Sequence, residues 1–143
     1  MTSPAIRQAV KDALAASWSL CPVYDLSDYI TLDDMPIGTT DKLLLLSFGF
    51  SSETMATIAI ENFHGWQEIG VFYFHLLFPA GDDAAEALAW SEQLRALFRG
   101  RRFGDVIIDS GPPFTDQDGA AIRLDGRWHG WSAPASFYRV ICA

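Results

Sequence analysis

The stretch from Glu68 to Phe103 constrains the fold more than any other: EIGVFYFHLLFPAG, a strand-like apolar run, leads directly into DDAAEALAWSEQLRALFRGRRF, a helix-like one. Alternation from Val71 to Phe78 sets Phe72, Phe74, Leu76 and Phe78 on one side and Val71, Tyr73, His75 and Leu77 on the other. Both sides want cover, because each large apolar side chain left in water forgoes roughly 1.5 to 3 kcal/mol. After the Pro79-Ala80-Gly81 turn, Asp83 reads as an N-cap with Glu86 three places on, a capping-box pattern at the positive end of the helix dipole. Ala87, Trp90, Ser91, Leu94, Leu97 and Phe98 form the stripe of a helix laid on a sheet, and Gly100 reads as its C-terminal stop. One helix covers one face of the strand. The second face then requires a second sheet layer or another copy of the chain, or else a bent sheet or long loop within the monomer.

Ser3 and Pro4 open an earlier helix in which Ile6, Ala9, Val10, Ala13, Leu14 and Trp18 share one face. Leu20 to Thr40 has no period. It holds Pro22, Pro36 and Gly38 together with Asp25, Asp28, Asp33 and Asp34, and Asp41 follows. A loop of that length inside a domain is a candidate partner-contacting arm, although its acids also suit a plain solvated face. Lys42 to Phe50 reads as a strand and Met55 to Glu61 as another, joined by a hairpin across Ser51 to Thr54, with His64, Gly65 and Trp66 linking to the central strand. Phe103 to Asp109 is a further strand. Ser110 to Gly119 is turn-rich, Ala120 to Leu124 a short strand, and Asp125-Gly126 a hairpin signal. Trp128 to Ala143 closes the chain as a strand that Pro134 consigns to an edge or a bulge. The expected architecture is α+β in two layers: a mostly antiparallel sheet with two main helices packed on one face.

At 143 residues, half of them hydrophobic, the chain reads as one globular domain spanning 1–143. Its formal charge of -8 is unevenly spread: residues 1–94 hold 13 acids against 3 bases, and residues 95–143 hold 5 acids against 7 bases. So acidic a chain is a poor candidate for binding nucleic acid by phosphate neutralisation. Cys21 and Cys142 lack metal spacing and read as reduced thiols in the cytoplasm, a single disulfide being the alternative. The N-terminus lacks the pattern of a signal peptide, and no stretch is apolar enough to span a membrane.

Catalytic and metal motifs are weak. Asp116-Gln117-Asp118-Gly119 starts like a calcium loop, but the position that needs a bidentate Glu is Arg127. His64, His75 and His129 have no ligand spacing, and His75 reads as a partly buried ring satisfied by a hydrogen bond. The expectation is no catalytic residue, no metal and no cofactor. Arg95, Arg99, Arg101 and Arg102 crowd the end of the main helix. They suit either the negative end of the helix dipole or an acidic neighbour, and Arg101 and Arg102 lie beyond Gly100, where dipole help fades.

Taken together, these residues resemble the tail-terminator-like proteins of long-tailed phages, prophages and gene transfer agents. The likeness runs from the Ala-rich first helix ending at Trp18 through Gly70–Phe78, Pro79-Ala80-Gly81 and Ala84–Leu97. It continues in Phe98-Arg99-Gly100-Arg101-Arg102-Phe103 and ends with Gly130-Trp131 before the last strand. The resemblance implies a non-enzymatic virion subunit, assembled in the host cytoplasm and placed at the head–tail junction. It would form a homohexameric ring that caps the tail tube protein and docks the head-completion or neck protein, while DNA passes through the bore without specific binding. The contact residues expected are Arg99, Arg101, Arg102, Asp28, Asp33, Asp34, Tyr73 and His75. The alternatives are another neck or head-completion protein, or a small α+β ligand-binding protein or hydrolase whose pocket would gather His75, His129 and an aspartate.

Overall fold

Alternating large apolar residues build one long antiparallel ladder at the centre of the molecule. The computed structural model describes residues 4–28, 42–57, 64–79, 81, 84–110, 114–117 and 128–142. In chain order these form α1 (Pro4–Ser17), β1 (Val23–Asp25), a 3-10 turn (Leu26–Asp28), β2 (Leu43–Thr57), β3 (His64–Pro79) and α2 (Ala84–Phe98). There follow β4 (Arg102–Phe103), β5 (Val106–Ser110), β6 (Thr115–Gln117) and β7 (Trp128–Cys142). The sheet order is β1-β2-β3-β7-β5-β4, with β6 also paired to β7. Among the described strands only β1 and β2 run parallel. The fold is α+β, as the sequence predicts.

Several boundaries differ from expectation. No turn interrupts β2 at Ser51 to Thr54: the strand runs on, pairing from Leu43↔Leu77 to Thr57↔His64. Ser-Ser-Glu-Thr is polar because this half of the ladder is less deeply covered, with Ser52 exposed, and polarity there mimics a turn. The register instead slips between Phe48 and Ser51. Gly49 lies at this slip, and a Cβ on it would stand 3.1 Å from the Val71 carbonyl oxygen and 3.7 Å from the Tyr73 ring. For the same reason His64 to Trp66 belong to β3 and are not a link into it.

Pro134 lies in an interior strand, paired with Tyr73 of β3, not in an edge strand. On its other side β7 changes neighbours, from β6 at residues 130–132 to β5 at residues 136–139. Residues 133–135 have no ladder partner there among the described residues. A residue without an N–H fits that local gap, so the interior proline costs no cross-strand bond on that side. The expected arm from Leu20 contains β1 and the 3-10 turn, and its remainder lies outside the described residues. So do Ser3, Asp83, the expected strand Ala120–Leu124 and the Asp125-Gly126 turn. The strand expected over Phe103–Asp109 is two strands, β4 and β5, folded at Gly104, whose φ is 63°.

Both helices pack on one face of the sheet. Phe72, Phe74, Leu76 and Phe78 meet Ile6, Val10 and Leu14 of α1 and Ala87, Leu94 and Phe98 of α2 in one cluster. Although β1 and β4 are opposite ends of the sheet, α1 lies close to β4 and pairs through Arg7 with Asp25 of β1, so the sheet curls around its helices. Gly100 ends α2 at φ 67°, and the Arg101 N–H returns to the Phe98 carbonyl at 3.1 Å. Only a residue without Cβ adopts that angle freely. Gly100→Ala is therefore expected to lower the unfolding free energy by about 1 to 2 kcal/mol, read by urea titration.

Candidate functional site

The second sheet face divides into two parts. Its inner part is closed: Leu43, Leu45 and Leu77 are buried, with Tyr24, Leu26 and Trp128 packed against them. Further along β3 the same face opens, and Tyr73 is 38% exposed and Ile69 45% exposed. The cross-strand partners there are Pro134, which is exposed, and the half-buried Tyr138. Of the covers weighed for this face, the chain itself supplies the inner half, and the outer half is an exposed apolar shelf.

His75 sits at the border between the two. It is 3% exposed, and its neighbours on either strand supply hydroxyls: Ser132 Oγ lies 2.6 Å from Nδ1 and Ser47 Oγ 3.3 Å from Nε2. One serine accepts from the ring N–H and the other donates to the bare nitrogen. Burial pushes the imidazole pKa down from 6.5 to about 4, so the ring is neutral at ordinary pH. Tyr73 stacks on it at 6.1 Å with an interplanar angle of 13°. The shelf's aromatic anchor thus rests on a fixed polar platform, which sequence spacing did not reveal because its serines come from strands 28 and 57 residues away.

The arginines expected at a contact surface gather at the far edge. Arg99 and Arg101 are exposed at the end of α2 and carry no side-chain partner among the described residues. Arg102, also exposed, donates from Nε to the Gly104 carbonyl at 2.8 Å. The other described cations are paired: Arg7 and Lys11 with Asp25, Lys42 with Glu86, Arg95 with Glu92, Arg139 with Asp105. The Arg139 hydrogen bond holds the Asp105 carboxyl below its usual range. Glu86, read as the back-bonding member of a capping box, instead meets Lys42 Nζ at 2.8 Å, and that ammonium lies over the Phe78 and Trp90 rings.

At the opposite edge, Asp28 is exposed and lies 3.8 Å from Lys11, while Asp33 and Asp34 lie outside the described residues. Between α1 and β1 is a recess of about 400 Å³ lined by Leu14, Trp18, Tyr24, Leu46, Lys11 and Asp28. Asp25 at its base is buried and held by Arg7 and Lys11. Sequence reading missed this anchor, yet a signal existed: Arg7 and Lys11 stand four apart beside the Ile6-Val10-Leu14 stripe, one helical face carrying two cations. Cys21 also lines the recess. Burial raises its thiol pKa, and the Trp18 indole N–H points to its sulfur at 3.4 Å.

The structure does not bring the histidines together. His75 belongs to the open face, whereas His129 stacks on Trp131 at 4.3 Å on the helix-covered face. Among the described residues there is no cluster of three metal-ligating side chains, and no helix is long and apolar enough to cross a membrane.

No protein-family model and no curated protein matches this chain. Among solved structures, a chain known by a sequence identifier alone is similar in fold, with a TM-score of 0.56 and 19% identity over 98% of this chain and 96% of that one. The likeness extends over the whole domain and concerns the fold alone.

Proposed function

We propose that this chain is an architectural subunit of the tail-terminator kind, one that closes a ring of its own copies on a tail tube and offers another surface to a head-completion protein. The observation that carries the reading is the half-covered second sheet face. On one strand Leu77 is buried by the chain itself, while Tyr73 and Ile69, on the same side, lie exposed. An exposed apolar shelf next to a His75–Ser132 platform suits a protein partner better than a small substrate, because it is open and anchored by an aromatic ring. Arg99 and Arg101, exposed and without a side-chain partner among the described residues, add a second surface of different character at another edge. Separate contact surfaces on one subunit let each copy meet more than one neighbour, as head-to-tail ring closure on a tube requires.

A hydrolytic reading has less in its favour. His75 is buried between two serines with no carboxylate hydrogen-bonded to its ring among the described residues, and His129 lies on the other face. The reading is tested by light scattering on the purified chain with negative-stain imaging of the largest species. Rings are expected in the wild type, whereas Tyr73→Arg, at an exposed site, is expected to keep the thermal transition and lose the rings. Monomers throughout, or a wild-type ring that Tyr73→Arg leaves intact, would overturn the assignment of this face.

A further inference from the structure

We propose that the recess between α1 and β1 is the socket for Arg101 of a second copy of this chain, with the Asp28 carboxylate receiving its guanidinium. The inference rests on the self-assembly reading and names which surface meets which. It starts from a mismatch of charge. The chain carries 18 acids against 10 bases, so its cations should find carboxylates readily, and Arg7, Lys11, Lys42, Arg95 and Arg139 all do. Among the described residues Arg99 and Arg101 find none, although both are exposed. They stand beside β4, one end of the sheet, while the recess stands beside β1, the other end.

The recess has the chemistry to take an arginine. Its accessible walls include the partly exposed Tyr24 ring and Val23, which suit the flat face and the methylene stem of that side chain. Asp28 at the mouth is 57% exposed at its side chain and only loosely engaged, 3.8 Å from Lys11. Lys11 keeps a closer partner in Asp25 at 3.0 Å, so an incoming guanidinium takes Asp28 without stranding the lysine. A contact between unlike edges repeats from copy to copy, and closes when the rotation per copy divides a full turn.

The test is a charge swap read by sedimentation velocity and ring imaging on the full chain. Asp28→Arg and Arg101→Asp are each expected to raise the self-association constant for dissociation about ten-fold or more. The combined D28R/R101D chain is expected to return to within about three-fold of wild type, since the pair is restored with its signs exchanged. Both positions are exposed, and unchanged melting curves will separate lost contacts from lost folding. Rings that form equally well in all four proteins overturn the socket and leave the assembly reading standing. Monomers in all four, wild type included, overturn both. If instead wild type is retained on immobilised duplex DNA and R101D is not, while D28R associates normally, the arginine serves phosphate and the socket falls.

Discussion

Replacing Phe72 by alanine is expected to lower the unfolding free energy by about 3 to 5 kcal/mol, the range for deleting a fully buried phenylalanine. Phe72 has no exposed surface, and it is where strands and helices converge. Its ring lies 5.7 Å from Phe48 of β2, 5.1 Å from Phe74, 6.3 Å from Phe98 of α2 and 6.2 Å from Phe137 of β7. Edge-to-face pairs such as those with Phe74 and Phe98 add to the burial itself. The surrounding rings are held by their own strands and helix, so little can move in to fill the void. The control lies three residues away on the same strand: Ile69→Ala, at a half-exposed site on the opposite face, is expected to change stability by less than about 0.5 kcal/mol. Urea titrations of both variants decide the matter. A Phe72→Ala loss below that of Ile69→Ala would place the wrong face against the helices.

The second large effect is a pH dependence carried by His75. The unfolded imidazole has a pKa near 6.5 and the folded one about 4, because burial disfavours the cation. Between those values the unfolded chain binds a proton that the native chain refuses. Stability from this residue is therefore fully present above pH 6.5 and is lost as the pH falls toward 4, by about 3 kcal/mol in all. Below the folded pKa both states are protonated and the loss stops. Geometry reinforces the sign, since a doubly protonated ring would need both Ser132 and Ser47 to accept at once. His75→Gln keeps hydrogen-bonding atoms between the serines but cannot titrate. The stability difference between wild type and this variant, followed from pH 7.5 to 4, should shrink by about 3 kcal/mol. A difference that stays flat across that window would mean that the ring is hydrated, and that the Tyr73 platform is softer than its hydrogen bonds indicate.

Much of this architecture was legible in the residues, and the parts that were not share a cause. The 3.6-residue stripes of Ile6-Val10-Leu14 and Ala87-Leu94-Phe98 predicted both helices, because a helix decides its buried face locally. Period-two alternation from Val71 to Phe78 predicted the central strand and the face it shows the helices. Gly100 predicted the stop of α2, since a positive φ is a property of one residue. The failures were of strand extent and neighbour. Ser-Ser-Glu-Thr looked like a turn because polarity reports exposure, and only the pairing of Ser52 with Ile69 and Thr54 with Gln67 shows it to be ladder. Pro134 read as the mark of an edge or a bulge because a proline signals a missing partner, and the change of neighbour from β6 to β5 supplies that locally inside the sheet.

The contact surfaces divide along the same line. Position along the chain marked Arg99, Arg101 and Arg102 as a cationic cluster, and alternation set Tyr73 and His75 on one strand face. Tertiary structure separated the last two, burying His75 between serines from distant strands and leaving Tyr73 on the surface above it. It also decided that Asp25 is a buried anchor while Asp28 stays exposed, 3.8 Å from Lys11, a distinction that two aspartates three residues apart cannot carry in their spelling. Local periodicity fixes which residues share a face. Which faces remain uncovered depends on chain brought from far away, and only the folded sheet and its curl decide that.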